Sequence, residues 1–198
     1  TTLQDRARGS FIGLAIGDAL GSPTEGKTPD EITSRWGRVT DFLTDDQGGS
    51  DDTEYALFSA KLLLEKKREL TSADVAKAWR RDIIKSDNAY KGAGFSEIIA
   101  IANLSNGLQP PQSGQHLHSW SDGLAMRVVP FGIAFTGNPE LAAQYAEIDG
   151  AVSHSGEGIY SGQAIAAAIS VAMSGASLEL IIQAALDAVP KDSWTFNT

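Results

Sequence analysis

The stretch "SGQAIAAAISVAMSGA", residues 161 to 176, decides the fold class. Alanine, glycine and serine lie on every side of the helix that these residues would form, so neighbouring helices can approach its backbone closely. Its apolar part, residues 164 to 176, is too short for a membrane span and is interrupted by Ser170, Ser174 and Gly175. Such a helix is typical of the centre of a helical bundle, and we expect residues 1–198 to form a single all-α domain.

Helical spacing of apolar residues continues on both sides of this stretch. Capping residues such as Asn138 before Pro139, and stop signals such as Gly175 and Pro190, mark the helix ends. The predicted helices cover residues 3 to about 17, Thr53 to about Lys67, a segment that starts after Thr71 or Ser72, and residues 94 to 104, 122 to 135, 139 to 150, 157 to 174 and 178 to 188. The glycine-rich stretch "GDALGSPTEG" is predicted to end the first helix, and residues 105 to 119 to form the one long loop.

Composition and charge exclude several classes of function. The 198 residues include no cysteine, so a disulfide framework or a thiolate metal site is not possible. The formal charge is −9, and no basic run extends beyond "EKKRE" at residues 65 to 69, so we expect no nucleic-acid partner. The first residues lack a basic start and an apolar run, which predicts a soluble, cytoplasmic protein without a membrane partner.

The most crowded acidic stretch is "GGSDDTEYAL", residues 48 to 57, where Ser50, Asp51, Asp52 and Thr53 stand at a predicted helix start. One interpretation is a helix cap, because acids there favour the helix dipole by about 0.3–1 kcal/mol each. Their mutual repulsion in water is only about 1 kcal/mol, so energetics alone do not decide. The other interpretation is a site for a hard cation such as Mg²⁺, which prefers oxygen ligands.

Three further stretches point to the second interpretation. "GLAIGDALGSPTEG" places Asp18 and Glu25 around a glycine-rich turn, "SDGLAMRVVPFG" spans residues 121 to 132, and "VSHSGEGIYSGQAIAAAIS" places His154 before the small-residue helix. Together with "SDDT", and in this order, they resemble the ADP-ribosylglycohydrolase family over residues 7 to about 175. The resemblance implies a compact multi-helix bundle with two magnesium or manganese ions at the floor of a cleft.

On that resemblance, Ser50, Asp51 and Asp52 supply metal ligands, and Glu25 and Asp51 are catalytic. Glu25 either activates water or coordinates metal and gates entry; the residues leave both roles open. Asp18 is expected to form hydrogen bonds at a turn or helix end.

The resemblance also implies a substrate site. Gly123, Ala125, Met126 and His154 are expected to bind substrate, the small residues by letting backbone N–H groups approach a diphosphate. Arg127 has a competing structural role, because a buried arginine can tie loops together. Possible stacking partners for a base, for which core packing is the preferred interpretation, are Tyr90, Phe95, Trp120 and Tyr160. His116 and His118 are expected to be loop residues.

The family pattern is not complete in this sequence. Relatives carry a second acidic motif, D-x-D-[ST], and after residue 176 this chain offers only Glu179, Asp187 and Asp192 in no such pattern. We therefore expect the N-terminal two-thirds of the family fold, incomplete at its C-terminus, and either a second polypeptide with the missing motif or self-association. The expected function is metal-dependent hydrolysis of an N- or O-glycosidic bond to ribose, as in removal of ADP-ribose from a modified protein or small molecule. The alternative is a non-catalytic binding or structural protein, as in the J1 crystallin relatives.

Overall fold

The computed structural model describes residues 2–45, 47–85 and 94–198. These residues form helices joined by turns and loops, and no β-strand occurs among them, which confirms the all-α prediction. The helices are α1 (Leu3–Gly21), α2 (Pro29–Trp36), α3 (Asp51–Lys66), α4 (Ser72–Ala78), α5 (Phe95–Ser105), α6 (Val129–Ala134), α7 (Pro139–Gly150), α8 (Glu157–Met173), α9 (Leu178–Asp187) and α10 (Trp194–Asn197). None of the described helices is long and apolar enough to cross a membrane.

Helix α8 is the central element, as its small residues predict. It packs against α6, α7, α9 and the 3₁₀ segment Asp122–Arg127, and it also touches α1 and α10. A Cβ atom on Gly162 would lie 2.5 Å from Cγ of Leu124, so glycine is required for this approach. The all-round small surface therefore lets α8 sit among several neighbours at short interaxial distances.

The core lies between α8 and the helices that cover it. Tyr55 of α3 and Trp79, in the π-helical turn that follows α4, are fully buried with ring centroids 5.6 Å apart. On the other side of the core, Phe135 packs on Tyr145 of α7 with ring centroids 4.5 Å apart. Four residues at helical spacing in the α4 region are buried in this core: Val75, Ala78, Trp79 and Ile83.

The end of α1 departs from the prediction. Gly17 does not end α1; the helix continues to Gly21 and then tightens into the 3₁₀ turn Ser22–Thr24. A Cβ atom on Gly17 would meet nothing within 4 Å, so this glycine faces open space and lowers helix propensity without blocking the helix. The consequence is that Asp18 belongs to α1 and not to a loop.

Two helices were not predicted, and one predicted helix is divided. α2 begins with a capping box in which Thr28 and Glu31 bond each other's backbone, with Pro29 at the first helical position. α10 is only four residues long and is held by Glu157, whose carboxylate accepts from the backbone N–H groups of Trp194 and Thr195 at 2.9 and 3.0 Å. The predicted helix over 122–135 consists of a 3₁₀ segment followed by α6.

One face of the molecule is apolar and uncovered. Helix α9 has no buried residue, although its sequence is strongly amphipathic. Large side chains exposed on α1, α8 and α9 include Leu3, Ile12, Ile16, Ile165, Leu178, Leu180 and Ile182. Exposure of this many large apolar side chains on neighbouring helices is typical of a surface that another polypeptide covers.

Candidate active site

A cleft of about 730 Å³ collects most of the predicted site residues. Its walls contain Glu25 and Gly26 after α1, Asp51 and Asp52 at the start of α3, Gly94, Phe95 and Glu97 at the start of α5, and Ser121, Asp122, Gly123, Ala125 and Met126. Ser50 and His154, predicted for the same site, lie behind this wall and not on it. The structure therefore brings together six predicted residues from three distant parts of the chain.

The start of α3 is capped from another helix. The carboxylate of Asp18 accepts hydrogen bonds from the backbone N–H of Ser50 (2.8 Å) and of Thr53 (3.1 Å), and from both hydroxyls (2.7 and 2.5 Å). Burial raises the pKa of Asp18, but these four hydrogen bonds together outweigh it and the pKa is lowered. Asp18 thus has the hydrogen-bonding role that the sequence predicts, and Asp51 and Asp52 are not needed as caps.

Asp51 and Asp52, at the start of α3, are destabilised in their charged forms. Asp52 accepts no hydrogen bond from any residue in the described ranges, and its pKa is raised to about 6, first by burial and then by the negative charges of Asp18, Asp51, Glu25 and Asp122. Burial also raises the pKa of Asp51. Carboxylates held in mutual repulsion at a cleft wall are typical of a site that a cation neutralises.

The chemistry of this donor set fits a hard divalent cation, but only in part. Asp51 and Asp52 offer carboxylate oxygens, and Ser50 donates its hydroxyl proton to Asp18, which leaves a lone pair of that oxygen to coordinate. In the described part of the chain, no group of three or more His, Cys, Asp or Glu side chains is arranged to hold a metal ion. Ser50, Asp51 and Asp52 by themselves offer fewer ligands than a complete magnesium site needs.

Behind the cleft, the side chain of Arg127 bonds to α5, to α7 and to the turn that follows α7. The buried guanidinium donates from Nε to Asp149 Oδ1 (2.6 Å), from Nη1 to Glu97 Oε1 (3.0 Å) and from Nη2 to Ser153 Oγ (2.7 Å). It also lies 5.2 Å from the ring centroid of Trp79. The structural role that the sequence offered for Arg127 is confirmed.

The same network holds the ring of His154. Ser153 Oγ accepts from Arg127 and lies 2.8 Å from His154 Nδ1. The pKa of His154 lies well below its usual range, first because of burial and then because of the Arg127 charge, so the ring is neutral at pH 7. Its Nε2 atom faces Ser121 Oγ (3.4 Å) and Glu97 Oε1 (3.7 Å).

Gly123 is glycine for a reason that the sequence did not reveal. A Cβ atom at this position would collide with the carboxylate of Glu97, with Oε2 only 2.7 Å away. Glu97 itself was not among the predicted site residues, because an isolated glutamate in the first turn of a helix is most simply interpreted as favouring the helix dipole. Gly123 and Glu97 therefore lie against each other in the cleft wall, and the glycine leaves room for the carboxylate.

Two aromatic side chains stand exposed near the mouth of the cleft. Phe95 is 71% exposed and packs against His118 with ring centroids 5.6 Å apart, and Trp120 is 61% exposed. Core packing, the preferred interpretation for both from sequence, is therefore wrong, because no neighbouring element in the described structure covers them. Tyr160 is half-buried against the core, and Tyr90 lies outside the described residues.

The fold and the cleft together define an all-helical protein with carboxylates clustered at a ligand-sized cleft. Within that class, the chain belongs to the ADP-ribosylglycohydrolase family, whose sequence model matches residues 1–197. The chain is 32% identical over 176 residues to an uncharacterized protein of Archaeoglobus fulgidus, covering 86% of this chain and 56% of that protein. It is 29% identical over 199 residues to ADP-ribosylhydrolase ARH3 of Danio rerio, covering 94% of this chain and 50% of that protein. The chain thus spans about half the length of the curated relatives it matches.

Proposed function

We propose that this protein is a glycohydrolase that cleaves an N- or O-glycosidic bond to ribose and releases ADP-ribose from a modified protein or small molecule. The observation that carries the proposal is the convergence of Glu25, Asp51 and Asp52 on one cleft with the segment Gly123–Met126. Membership in the ADP-ribosylglycohydrolase family and the likeness to ADP-ribosylhydrolase ARH3 support the same reaction class.

The chemistry of the bond explains why carboxylates line the cleft. When the bond between the anomeric carbon and the leaving nitrogen or oxygen breaks, positive charge develops on the ribose, and nearby carboxylates stabilise it. Water supplies the oxygen that replaces the leaving group, and one water proton passes to the leaving group. We assign Glu25 as the group that positions or deprotonates this water, with metal gating as its alternative role.

Ser50, Asp51 and Asp52 are the residues that we propose for Mg²⁺ or Mn²⁺ in a dinuclear site. The cations would orient the ribose hydroxyls and offset the charge between an acidic protein and a nucleotide diphosphate. The protein's contribution is to hold the acids in place, which Asp18 does from α1 by fixing the first turn of α3.

We further propose that the apolar face of α1, α8 and α9 is covered by polypeptide that corresponds to the remaining half of the relatives. Their length, about twice the matched region, supports this occupant, as does the amphipathic sequence of α9 without any buried residue. The same polypeptide would bring the second acidic motif to the metal site.

The test is release of ADP-ribose from ADP-ribosylated serine and arginine peptides, measured with Mg²⁺ and after its removal by EDTA. The protein is assayed together with any polypeptide that copurifies with it. We expect Glu25→Gln and Asp51→Ala to lower the rate by at least about 100-fold, since each removes a group acting at the reacting centre. Asp192 is exposed and does not line the cleft, so Asp192→Asn is the control and should leave the rate unchanged. Equal loss on all three substitutions would contradict the assignment.

A second candidate function is binding without hydrolysis. The observation in its favour is that the described residues do not form a complete metal site. Binding of ADP-ribose at a 1:1 ratio, with no release of ADP-ribose from either peptide in the presence of Mg²⁺, would establish this alternative.

A further inference from the structure

One carboxylate in the cleft has no assigned role. Glu97 is fully buried, yet it lines the cleft at the first turn of α5. Its Oε1 atom accepts from Arg127, whereas its Oε2 atom finds no hydrogen-bond partner among the described residues. A buried carboxylate oxygen that has lost water and gained no donor is costly, so its retention calls for an explanation.

A role as the partner of Arg127 accounts for only one oxygen of Glu97. Asp149 also pairs with Arg127, and both of its oxygens are bonded, Oδ1 to Arg127 Nε and Oδ2 to Ser59 Oγ at 3.1 Å. Burial raises the pKa of Glu97, against the lowering effect of the Arg127 charge, so a second carboxylate beside one buried cation is costly to ionise. Its Oε1 atom serves Arg127 Nη1, whereas its Oε2 atom has no donor among the described residues.

The Oε2 atom is buried in the described structure, and the two residues nearest to it in the cleft wall carry no side chain. Gly94 and Gly123 flank it, and Cβ atoms at these positions would lie 3.0 and 2.7 Å from Oε2. The other titratable groups of the cleft are all acids, namely Glu25, Asp51, Asp52 and Asp122. A phosphate is therefore repelled from this spot, and the matching group is a hydrogen-bond donor such as a hydroxyl.

We propose that Glu97 is a substrate-binding residue whose Oε2 atom accepts a hydrogen bond from a hydroxyl of the ribose that carries the scissile bond. This inference rests on the proposed function, because that ribose is the polyhydroxyl group which the reaction brings to the same cleft as Glu25 and Asp51. Arg127 fixes the direction of the carboxylate through Oε1, so the acceptor is held ready before the ligand binds.

The test compares two probes, ADP-ribose and ADP, which differ by the terminal ribose and by the one charge that its ester bond removes from the β-phosphate; each affinity is therefore compared between variants and not between probes. Affinities are measured by calorimetry with Mg²⁺ present, for the unaltered protein and for Glu97→Gln. The amide oxygen of glutamine still accepts from Arg127, while its NH₂ group takes the place of Oε2. We expect the affinity for ADP-ribose to fall on the order of tenfold and the affinity for ADP to stay constant.

The matched control is Ser59→Ala, which removes a hydrogen bond from the same buried network without touching the cleft. It should lower the melting temperature and leave the ratio of the two affinities unchanged. Unchanged or parallel affinities in Glu97→Gln would overturn the inference while leaving the proposed function in place. Failure of the unaltered protein to bind ADP-ribose would overturn the proposed function, and this inference with it.

Discussion

Asp18 Oδ2 accepts two hydrogen bonds from Thr53, one from the backbone N–H at 3.1 Å and one from the hydroxyl at 2.5 Å. The two residues stand 35 positions apart, on α1 and α3. Ser50 is the local N-cap of α3 and accepts from the backbone N–H of Asp52 at 3.4 Å, and Asp18 adds a second cap from a distant helix, so the carboxylates of Asp51 and Asp52 are not needed for capping. The arrangement makes the geometry of the acidic cluster depend on the docking of α1.

We expect Asp18→Asn to lower the free energy of unfolding by about 1–3 kcal/mol. The asparagine NH₂ group would face donors where the carboxylate accepts, leaving N–H groups of Ser50 and Thr53 unpaired. Urea denaturation followed by circular dichroism measures the change. Asp192→Asn, an exposed acid, should change stability by less than about 0.5 kcal/mol, and equal effects of the two substitutions would refute the capping role.

In the absence of divalent cations, we expect Asp52→Asn to raise the melting temperature at pH 7.5. The raised pKa of Asp52 means that its ionised form is disfavoured in the folded state, so stability falls as the pH rises from about 4 through the folded pKa of about 6. The same substitution should abolish the increase in melting temperature caused by Mg²⁺. Asp74→Asn is the opposite control: the pKa of Asp74 is lowered by bonds to Lys66 and Thr71, so its loss should lower the melting temperature.

The stability attributable to His154 should decline in acid. Its folded-state pKa is depressed, so the contribution is present above the unfolded pKa of about 6.5 and is lost as the pH falls below it. Subtracting the free energy of unfolding of His154→Gln from that of the unaltered protein cancels the opposing contribution of Asp52. The difference should shrink from pH 7.5 to pH 5.5; a difference that stays level would show that folding leaves the pKa of His154 unchanged.

Gly123→Ala should destabilise the protein, and shortening Glu97 should relieve the effect. The new methyl group would overlap the Glu97 carboxylate, which Arg127 prevents from moving away. In a double-mutant cycle with Glu97→Ala, we expect a favourable coupling of about 1–3 kcal/mol, measured by chemical denaturation. Strict additivity of the two substitutions would mean that the carboxylate does not occupy this space.

We expect the purified chain to associate through its apolar face unless a partner polypeptide is present. Ile182→Glu on α9 places a charge on this face, where the present side chain is 52% exposed, and should reduce association without lowering the melting temperature. Analytical ultracentrifugation over a range of concentrations measures the change. A chain that sediments as a monomer throughout would contradict the proposal.

Helix starts were predicted correctly where a capping residue stands directly before a segment with apolar residues at helical spacing. Asn138 and Pro139 begin α7 as predicted, and Thr71 and Asp74 form the capping box of α4. α2 carries equally clear signals in Thr28, Pro29 and Glu31, but it is only eight residues long and has just two large apolar side chains, Ile32 and Trp36. α10 could not be predicted, because a four-residue helix depends on its long-range contact with Glu157.

The candidate site was predictable in its solvent-accessible acids and in the segment Gly123–Met126, but not in Glu97. Motif resemblance identified Glu25, Asp51 and Asp52, which share the cleft, and their roles in catalysis and metal binding remain predictions. Glu97 carried no local signal, since its importance comes from Arg127 and Gly123, which lie 30 and 26 residues further along the chain. Burial of a charged group is a property of the folded state, and periodicity does not encode it.

The contact between Arg127 and Trp79 has a spectroscopic use. Among the four tryptophans, Trp79 is fully buried, whereas Trp120 and Trp194 are 61% and 75% exposed. Its indole ring lies 5.2 Å from the guanidinium carbon that Glu97 and Asp149 hold in place. The emission of this tryptophan therefore reports on the charge balance of the network behind the cleft, and a blue-edge fluorescence change on addition of ADP-ribose would reveal ligand binding without any label.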